Sequence, residues 1–222
     1  FDVIFSERQS PSVVSAITDD DDVFAAAIAQ AGNVVLPLFI EEQQFRGLKN
    51  EVLPHPMFAK RAASLGHVQV DSDIDGITRG VYLLQGLGSA YWPHLAKALS
   101  VFLAESSPQG KDDSLDAVDP YRIEKADFTR IRYVGSAGSI YRFSYIDVLE
   151  GRVASRQFAG KRVFIGATAK GLGDDIPTPL GLMSGVEFHA NVYESIRQHQ
   201  LIATVDRGIA TLILSLIHIS EP

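Results

Sequence analysis

The strongest constraint on the fold is the alternation of helical segments with short, apolar, β-branched segments. Residues 23–31 follow the acidic run at residues 19–22, whose carboxylates can cap a helix N-terminus and interact favourably with its dipole. Gly32 is placed to end that helix in a left-handed turn, and residues 33–40 are typical of a strand buried on both faces. Together with residues 1–5, this order predicts a strand, helix, strand unit.

The same alternation continues along the chain. We expect further helices at residues 57–65, 91–104, 144–149 and 185–199. We expect further strands at residues 67–70, 79–84, 128–134 and 162–167. Polar loops are expected at residues 41–55 and 105–119. This order predicts an α/β fold of three layers, in which a mixed, mostly parallel sheet is covered by helices on both faces. A turn at residues 71–76 indicates one antiparallel pair.

The composition excludes several classes of function. The chain has 222 residues, of which 46% are hydrophobic and 21% are charged, as expected for one folded domain. Its net charge of -7 and the lack of a Lys/Arg cluster argue against a nucleic-acid partner, because such binding depends on clustered cations. The absence of cysteine excludes thiol catalysis, thiolate metal sites and disulfides. We expect no cofactor.

The two ends indicate a segment of a longer protein. The chain starts within a strand-like segment at residues 1–5, with no initiator Met and no signal peptide, so we expect an N-terminal truncation. We assign residues 1–205 to the folded domain. The apolar run that follows is shorter than the roughly 20 residues that span a membrane, as expected for an interrupted membrane helix. We therefore assign residues 206–214 to the start of a transmembrane helix. Residues 215–222 resemble a vector-encoded tail, and a native amphipathic helix is the alternative.

A glycine-rich loop at residues 166–179 is the densest candidate site, since loops at the carboxyl ends of α/β strands commonly hold ligands. It is not a P-loop, because Leu172 and Gly173 stand where Lys and Ser or Thr must follow the second glycine. It also lacks the third glycine of a dinucleotide fingerprint. Two interpretations stay open: a ligand-binding loop, or a tight loop that needs several positive φ angles.

An acidic turn reproduces the first half of a calcium loop, with alternating carboxylates at Asp71, Asp73 and Asp75 before Gly76. The second half is missing, because Tyr82 stands where a bidentate Glu would close the site. We therefore expect a capped turn in which an arginine, Arg79, pairs with one of the aspartates, and no metal site.

Catalytic signatures are absent from the sequence: there is no Gly-x-Ser-x-Gly elbow and no His-Glu-x-x-His motif. His189 shares a helical face with Val186 and Tyr193, which places it either in the core or in a pocket beneath the glycine-rich loop. We expect a non-catalytic domain. The competing class is an α/β enzyme that uses Asp174 and His189 as acid and base.

The order of several short motifs carries a family resemblance. They are residues 1–7, Asp22 before an alanine-rich helix, Gly66 with Asp73-x-Asp75-Gly76-x-x-Arg79, Tyr133-x-Gly135-x-x-Gly138 before residues 144–149, residues 166–172 with Asp174 and Thr178-Pro179, and Gly185-Val186-Glu187-x-His189-Ala190-Asn191. In this order the chain resembles the second type of CHASE domain, the cyclase and histidine-kinase associated sensory extracellular family.

The resemblance implies a periplasmic or extracellular input domain of an inner-membrane receptor. Membrane helices would flank it, and a cytoplasmic adenylate cyclase, histidine kinase or diguanylate cyclase in the same chain would be its output. A homodimer is also implied. The family's first segment, before residue 1, is expected to be missing.

We predict a binding module whose ligand shifts the balance between two domain arrangements. The predicted ligand-binding residues are Thr168, Lys170, Asp174, His189 and Asn191. The ligand is either a small molecule or a periplasmic partner protein, and a large exposed apolar patch would indicate the partner protein.

Overall fold

The computed structural model describes residues 1–8, 20–42, 49–103, 119–169, 175–204 and 215. Within them the helices are α1 (Asp20–Ala31), α2 (Pro56–Ala59), α3 (Leu95–Leu103), α4 (Tyr145–Leu149) and α5 (Gly185–Arg197). The strands are β1 (Val35–Glu42), β2 (Lys49–Val52), β3 (Ser64–His67), β4 (Gly80–Leu87), β5 (Trp92–Pro93), β6 (Ile123–Arg130), β7 (Asp175–Thr178), β8 (Gly181–Ser184) and β9 (Ile202–Ala203). The mixture of helices and strands confirms the general α/β class.

The predicted helix and strand near the N-terminus are confirmed. Three aspartates occupy the first turn of α1, where their charge favours the helix dipole. Gly32 follows the helix with a φ angle of 63°, which favours glycine. β1 comes next, and consecutive residues of this strand are buried, so both of its faces are covered, as expected for an interior strand.

The expectation of a mostly parallel sheet is wrong. β1 pairs in parallel with β3, whereas every other strand pair among the described residues is antiparallel. The strands form sheets in the orders β2-β1-β3, β5-β4-β6-β9 and β7-β8. The described strands therefore do not form the single, mostly parallel sheet of the predicted three-layer fold. The prediction missed two of the antiparallel pairs because β2 lies in the polar segment at residues 41–55 and β7 lies in the glycine-rich loop at residues 166–179, where no strand is expected.

The segment around Gly66 differs from the predicted helix over residues 57–65. α2 ends at Ala59, and Gly66 lies within β3 instead of closing a helix. A Cβ atom on Gly66 would lie 2.6 Å from the Cα atom of Leu95. The missing side chain lets β3 pack directly against the start of α3, and this tertiary contact outweighs local helix propensity.

Other boundaries shift in the second half of the chain. The predicted strand at residues 162–167 and the opening strand at residues 1–5 appear only as one parallel bridge, between Asp2 and Gly166. The predicted strand at residues 128–134 lies earlier, as β6, and the helix at residues 91–104 loses its first turn to β5. The predicted helix at residues 185–199 is confirmed as α5.

Two hydrophobic clusters form most of the core. One joins α5 to the sheet of β4 and β6, and its buried members are Val81, Ala96, Ile131, Met183, Phe188, Val192 and Tyr193. The other lies between α1, β1 and α2. It includes edge-to-face phenylalanine contacts, such as the 5.7 Å separation of the Phe1 and Phe24 ring centroids. The buried face of α5 is therefore fixed against the four-stranded sheet.

Across the part of the chain that the structure describes, no helix is both long enough and apolar enough to cross a membrane. The predicted start of a transmembrane helix at residues 206–214 lies outside the described residues, and so does most of the predicted tail at residues 215–222. The predicted loop at residues 105–119 lies almost wholly outside them.

Candidate functional site

Three histidines form a row through the interior, which we call the histidine row: His67, His94 and His189. His67 is the last residue of β3, His94 directly precedes α3, and His189 lies in the second turn of α5. Their exposed fractions are 1%, 0% and 2%. The row therefore joins three structural elements at one buried position.

The rings of the histidine row contact one another, edge-to-face between His67 and His94 and tilted between His94 and His189. The ring centroids of His67 and His94 are 5.2 Å apart, and those of His94 and His189 are 5.1 Å apart. A parallel bridge between His67 and His94 also joins their backbones. The backbone N–H of His94 in turn donates to the carbonyl of Leu83 in β4. These contacts hold the row against both larger sheets.

Hydrogen bonds fix the protonation pattern of two of these rings. The backbone N–H of Ala96 donates to Nδ1 of His94 over 3.2 Å, so that nitrogen carries no proton. The proton of neutral His94 is therefore on Nε2, which lies 3.2 Å from Nδ1 of His189 and donates to it. In turn the proton of neutral His189 is on Nε2, which lies 3.8 Å from Oδ1 of Asp2.

His67 is the exception in the row, because neither of its ring nitrogens has a partner at good hydrogen-bond geometry, although the backbone of Tyr82 is close enough to act on the ring. An imidazole has at least one donor and one acceptor when neutral, so full burial without partners costs free energy. Such a group in a native core calls for an explanation beyond packing.

Burial keeps all three histidines neutral. It lowers the pKa of His67 to about 4, a shift that the backbone of Tyr82 partly opposes. Burial also lowers the pKa of His189 to about 3, and the nearby His67 contributes to the same shift. The pKa of His94 is well below its ordinary value, first because of burial and then because of the other two histidines.

The ends of the row approach charged groups. Asp71 and Lys125 both act electrostatically on His67, and these two residues form an ion pair with an N···O distance of 2.6 Å. At the other end is Asp2, whose side chain is 9% exposed. The row therefore runs from a half-exposed ion pair on the sheet to a buried carboxylate near the N-terminus.

Two other buried polar side chains of α5, Asn191 and Glu187, bind backbone groups. Oδ1 of Asn191 accepts from the N–H of Val134 over 2.8 Å, and its Nδ2 donates to the carbonyl of Glu187 over 2.9 Å. Oε1 of Glu187 accepts from the N–H of Gly138 over 2.7 Å. Asn191 and Glu187 therefore attach the segment after β6 to α5.

Only some of the predicted ligand-binding residues come together. His189 and Asn191 are both buried in α5, whereas Thr168 is exposed. Lys170 and Asp174 lie outside the described residues. The glycine-rich loop begins against α5, because a Cβ atom on Gly166 would lie 2.7 Å from Cβ of Val186. The ligand-binding role of the five residues stays a prediction.

The acidic turn has the arginine contact that its sequence predicts. Arg79 donates to Asp73 over 2.7 Å, and it also binds both carboxylate oxygens of Asp75. The prediction named one aspartate, and the structure shows two. Among the described residues, no group of three or more His, Asp or Glu side chains is arranged to hold a metal ion.

Sequence reasoning named His189 but missed His67 and His94. His67 begins the predicted strand at residues 67–70 and His94 lies in the predicted helix at residues 91–104, but the pattern of neither segment marks its histidine as buried. The available signal is Gly66 directly before His67, since a glycine within a strand often marks close backbone approach.

The comparison with protein families gives the relationship. The model of the CHASE2 domain matches residues 1–220. The chain belongs to the CHASE2 domain family. No curated protein and no solved structure matches the chain. The suspected resemblance to the second type of CHASE domain is thereby confirmed.

CHASE2 domains are extracellular sensory domains of signalling receptors and are not themselves catalytic. In this CHASE2 domain, the motif that ends in His189 and Asn191 supplies the buried polar face of α5. The residues that carry the resemblance therefore lie where the helix meets the rest of the core.

Proposed function

We propose that this CHASE2 domain is the ligand-sensing input of a transmembrane receptor. It lies in the periplasm or outside the cell, and its output is a cyclase or kinase domain in the same polypeptide. The observation that carries this proposal is the family match over residues 1–220. Membership in a sensory family favours a binding role over the competing acid and base chemistry of Asp174 and His189.

Transmission of the signal is proposed to run through α5. After α5 the chain forms β9, which pairs with β6, and it then reaches the apolar segment at residues 206–214. About ten residues of chain separate the end of α5 from that segment, so a displacement of α5 would be passed on over a short distance. A ligand that prefers one arrangement tenfold contributes about 1.4 kcal/mol to the shift, and a near-complete switch needs about 5.5 kcal/mol. We propose that the receptor works as a homodimer.

The proposed ligand site is formed by the glycine-rich loop and α5, with Thr168, Lys170 and Asp174 from the loop and His189 and Asn191 from the helix. Two observations support this location. The loop begins in contact with the first turn of α5, and Oγ of Ser184, at the N-cap of α5, is buried without a hydrogen-bond partner in the structure. A small polar ligand would satisfy such a group.

A thermal-shift screen of the chain against small polar metabolites tests this site. We expect at least one compound to raise the melting temperature, and Lys170→Ala to reduce that rise. The control is Lys161→Ala, which removes an exposed lysine just before the loop and leaves the rise unchanged. Equal responses of the two variants would contradict the proposed location, and no response to any compound would contradict small-molecule sensing.

Partner-protein sensing is the second candidate, and an exposed apolar surface favours it. We call Tyr141, Tyr145, Ile146 and Leu149 the α4 surface. Their exposed fractions are 81%, 62%, 51% and 64%. Large apolar side chains exposed together indicate a contact with another protein.

The two candidates differ in what a charge on the α4 surface does. Under partner-protein sensing, Leu149→Glu abolishes the response of the intact receptor in cells, while binding of small molecules by the purified chain is unchanged. Leu182→Glu is the matched control, since Leu182 is 63% exposed and lies on β8. Equal receptor responses in both variants would exclude this candidate.

A further inference from the structure

We propose that the histidine row is a proton-operated switch, so that acidification of the compartment is itself a signal read by this domain. Uptake of a proton separates α5 from α3 and β3. This inference rests on the proposed function only for its consequence, the passage of the signal onward. The switch itself rests on the geometry of His67, His94 and His189.

The first step is that the observed arrangement requires neutral rings. Nδ1 of His94 accepts from the backbone of Ala96, and Nδ1 of His189 accepts from Nε2 of His94. A proton added to His189 at Nδ1 would set two N–H donors against each other over 3.2 Å. A proton added to His94 at Nδ1 would break its bond to Ala96, which satisfies a backbone N–H at the start of α3.

The second step is that the nearby carboxylates compensate the new charge only in part. The carboxylate nearest to His189 is Asp2, and its oxygen is 3.8 Å from Nε2, beyond hydrogen-bond distance. His67 has no partner at good hydrogen-bond geometry at either nitrogen. The charged side chains that face the row from the surrounding elements are Asp2, Asp71 and Lys125, and in the isolated chain the amino group of Phe1 also faces it.

One of these side chains opposes the added charge and two favour it. Lys125 acts against a cation in the row, whereas Asp71 and Asp2 act for one, and in the isolated chain the amino group of Phe1 adds to the opposition. Asp71 is already paired with Lys125. Protonation is therefore costly while the row stays buried, and water becomes the best partner of a charged imidazole.

The third step is the position of the row. It lies where the end of β3, the start of α3 and the second turn of α5 meet. Gly66 brings β3 and α3 into backbone contact at the same place. Exposure of the rings to water therefore requires these elements to separate, and α5 is the element that continues toward the C-terminal segment. An arrangement with exposed histidines binds more protons, so acid favours it.

Hydrogen exchange in the chain tests the proposal without any variant. After correction for the intrinsic rates at pH 7.5 and 5.5, we expect protection of the α5 amides to fall at least tenfold more than protection of the α1 amides. α1 is the internal reference, because it carries no histidine and packs in the separate cluster of α1, β1 and α2. Equal changes in both helices, or no change in either, would overturn the switch.

A double variant, His94→Gln with His189→Gln, removes the two linked titrating groups but keeps polar side chains. We expect it to lose most of the pH-dependent change in α5 protection, because only His67 of the row remains to titrate. His199→Asn is the control, since His199 is exposed and has a φ angle of 53° that asparagine tolerates. Loss of the change in the control, or its persistence in the double variant, would overturn the proposal.

If the double variant does not fold, nitrogen NMR of the imidazoles in the unaltered chain decides. At pH 7.5 we expect both His94 and His189 to be neutral with the proton on Nε2. The opposite tautomer on either ring would overturn the switch. These experiments use neither membrane nor ligand, so they are independent of the ligand screen. If the pH-dependent change is found and no compound binds, only small-molecule sensing is contradicted. If a compound binds and the pH-dependent change is absent, only the switch is contradicted.

Discussion

Nε2 of His94 donates a hydrogen bond to Nδ1 of His189 across 3.2 Å, inside a core where neither ring is more than 2% exposed. This bond connects the start of α3 to α5. It is lost when His189 takes up a proton at Nδ1, because that proton turns the acceptor into a donor. A proton on Nδ1 of His94 breaks a different bond, the one that it accepts from the backbone N–H of Ala96. A buried contact between two helices therefore depends on pH.

The first prediction concerns stability against pH. The folded pKa values of His67 and His189, about 4 and about 3, lie below the ordinary value near 6.5, so the unfolded chain binds more protons in this range. The stability from these neutral rings is fully present above about pH 6.5 and is lost as pH falls toward the folded pKa values. At pH 5 we expect a loss of about 2 kcal/mol for each ring.

Urea denaturation at pH 8 and pH 5 measures this loss. The variant His67→Gln is expected to show a smaller difference between the two pH values, because it removes one of the titrating groups. Replacement of the exposed His199 by asparagine is expected to leave the difference unchanged. A chain that is equally stable at both pH values would contradict the neutral, buried row.

The second prediction concerns the attachment of the segment after β6 to α5. Asn191→Ala leaves the backbone N–H of Val134 without its partner and removes the bond to the carbonyl of Glu187. We expect a loss of about 3 kcal/mol in the free energy of unfolding, since an unsatisfied buried polar group costs about 1–3 kcal/mol. Asn50→Ala, at an exposed position of β2, is the matched control and should change stability by less than about 0.5 kcal/mol.

The third prediction separates lack of space from backbone strain at two glycines. Gly66→Ala would place a Cβ atom 2.6 Å from the Cα atom of Leu95, so we expect a loss of about 3 kcal/mol or more. Gly32 has open space around it but a φ angle of 63°, and Gly32→Ala should cost only about 1 kcal/mol. Chemical denaturation measures both. Equal losses of stability in the two variants would contradict the close contact, because they would mean that β3 can move away from α3 to make room for the Cβ atom.

The fourth prediction concerns self-association. If two copies of the domain meet through the α4 surface, Leu149→Glu shifts sedimentation toward the monomer, because a charge replaces a large apolar side chain at the contact. Leu182→Glu alters a side chain of equal exposure on β8 and should leave sedimentation unchanged. A dimer that survives Leu149→Glu would place the interface elsewhere.

The sequence predicts local structure better than it predicts pairing. The acidic start of α1, the turn at Gly32 and the apolar run of β1 act within a few residues, and their prediction is confirmed. Strand direction depends on contacts between distant segments. β2, the antiparallel partner of β1, lies in a polar stretch that carries no clear strand signal. The β7-β8 hairpin also lacks a local signal strong enough to predict its strands.

The candidate site shows the same division. The helical spacing around His189 places that residue correctly on the buried face of α5. Its neighbours His67 and His94 are far away in sequence, and no local period connects three histidines that meet only through the fold. The binding loop that sequence patterns favour lies partly outside the described residues, so its role is a proposal.

The coding sequence on both sides of residues 1–222 tests the central claim, a sensory domain within a transmembrane receptor, most directly. We expect a hydrophobic span of about 20 residues that includes residues 206–214, a second span upstream of residue 1, and a cyclase or kinase region on the cytoplasmic side. A reading frame with no hydrophobic span on either side and no output domain would contradict the receptor account.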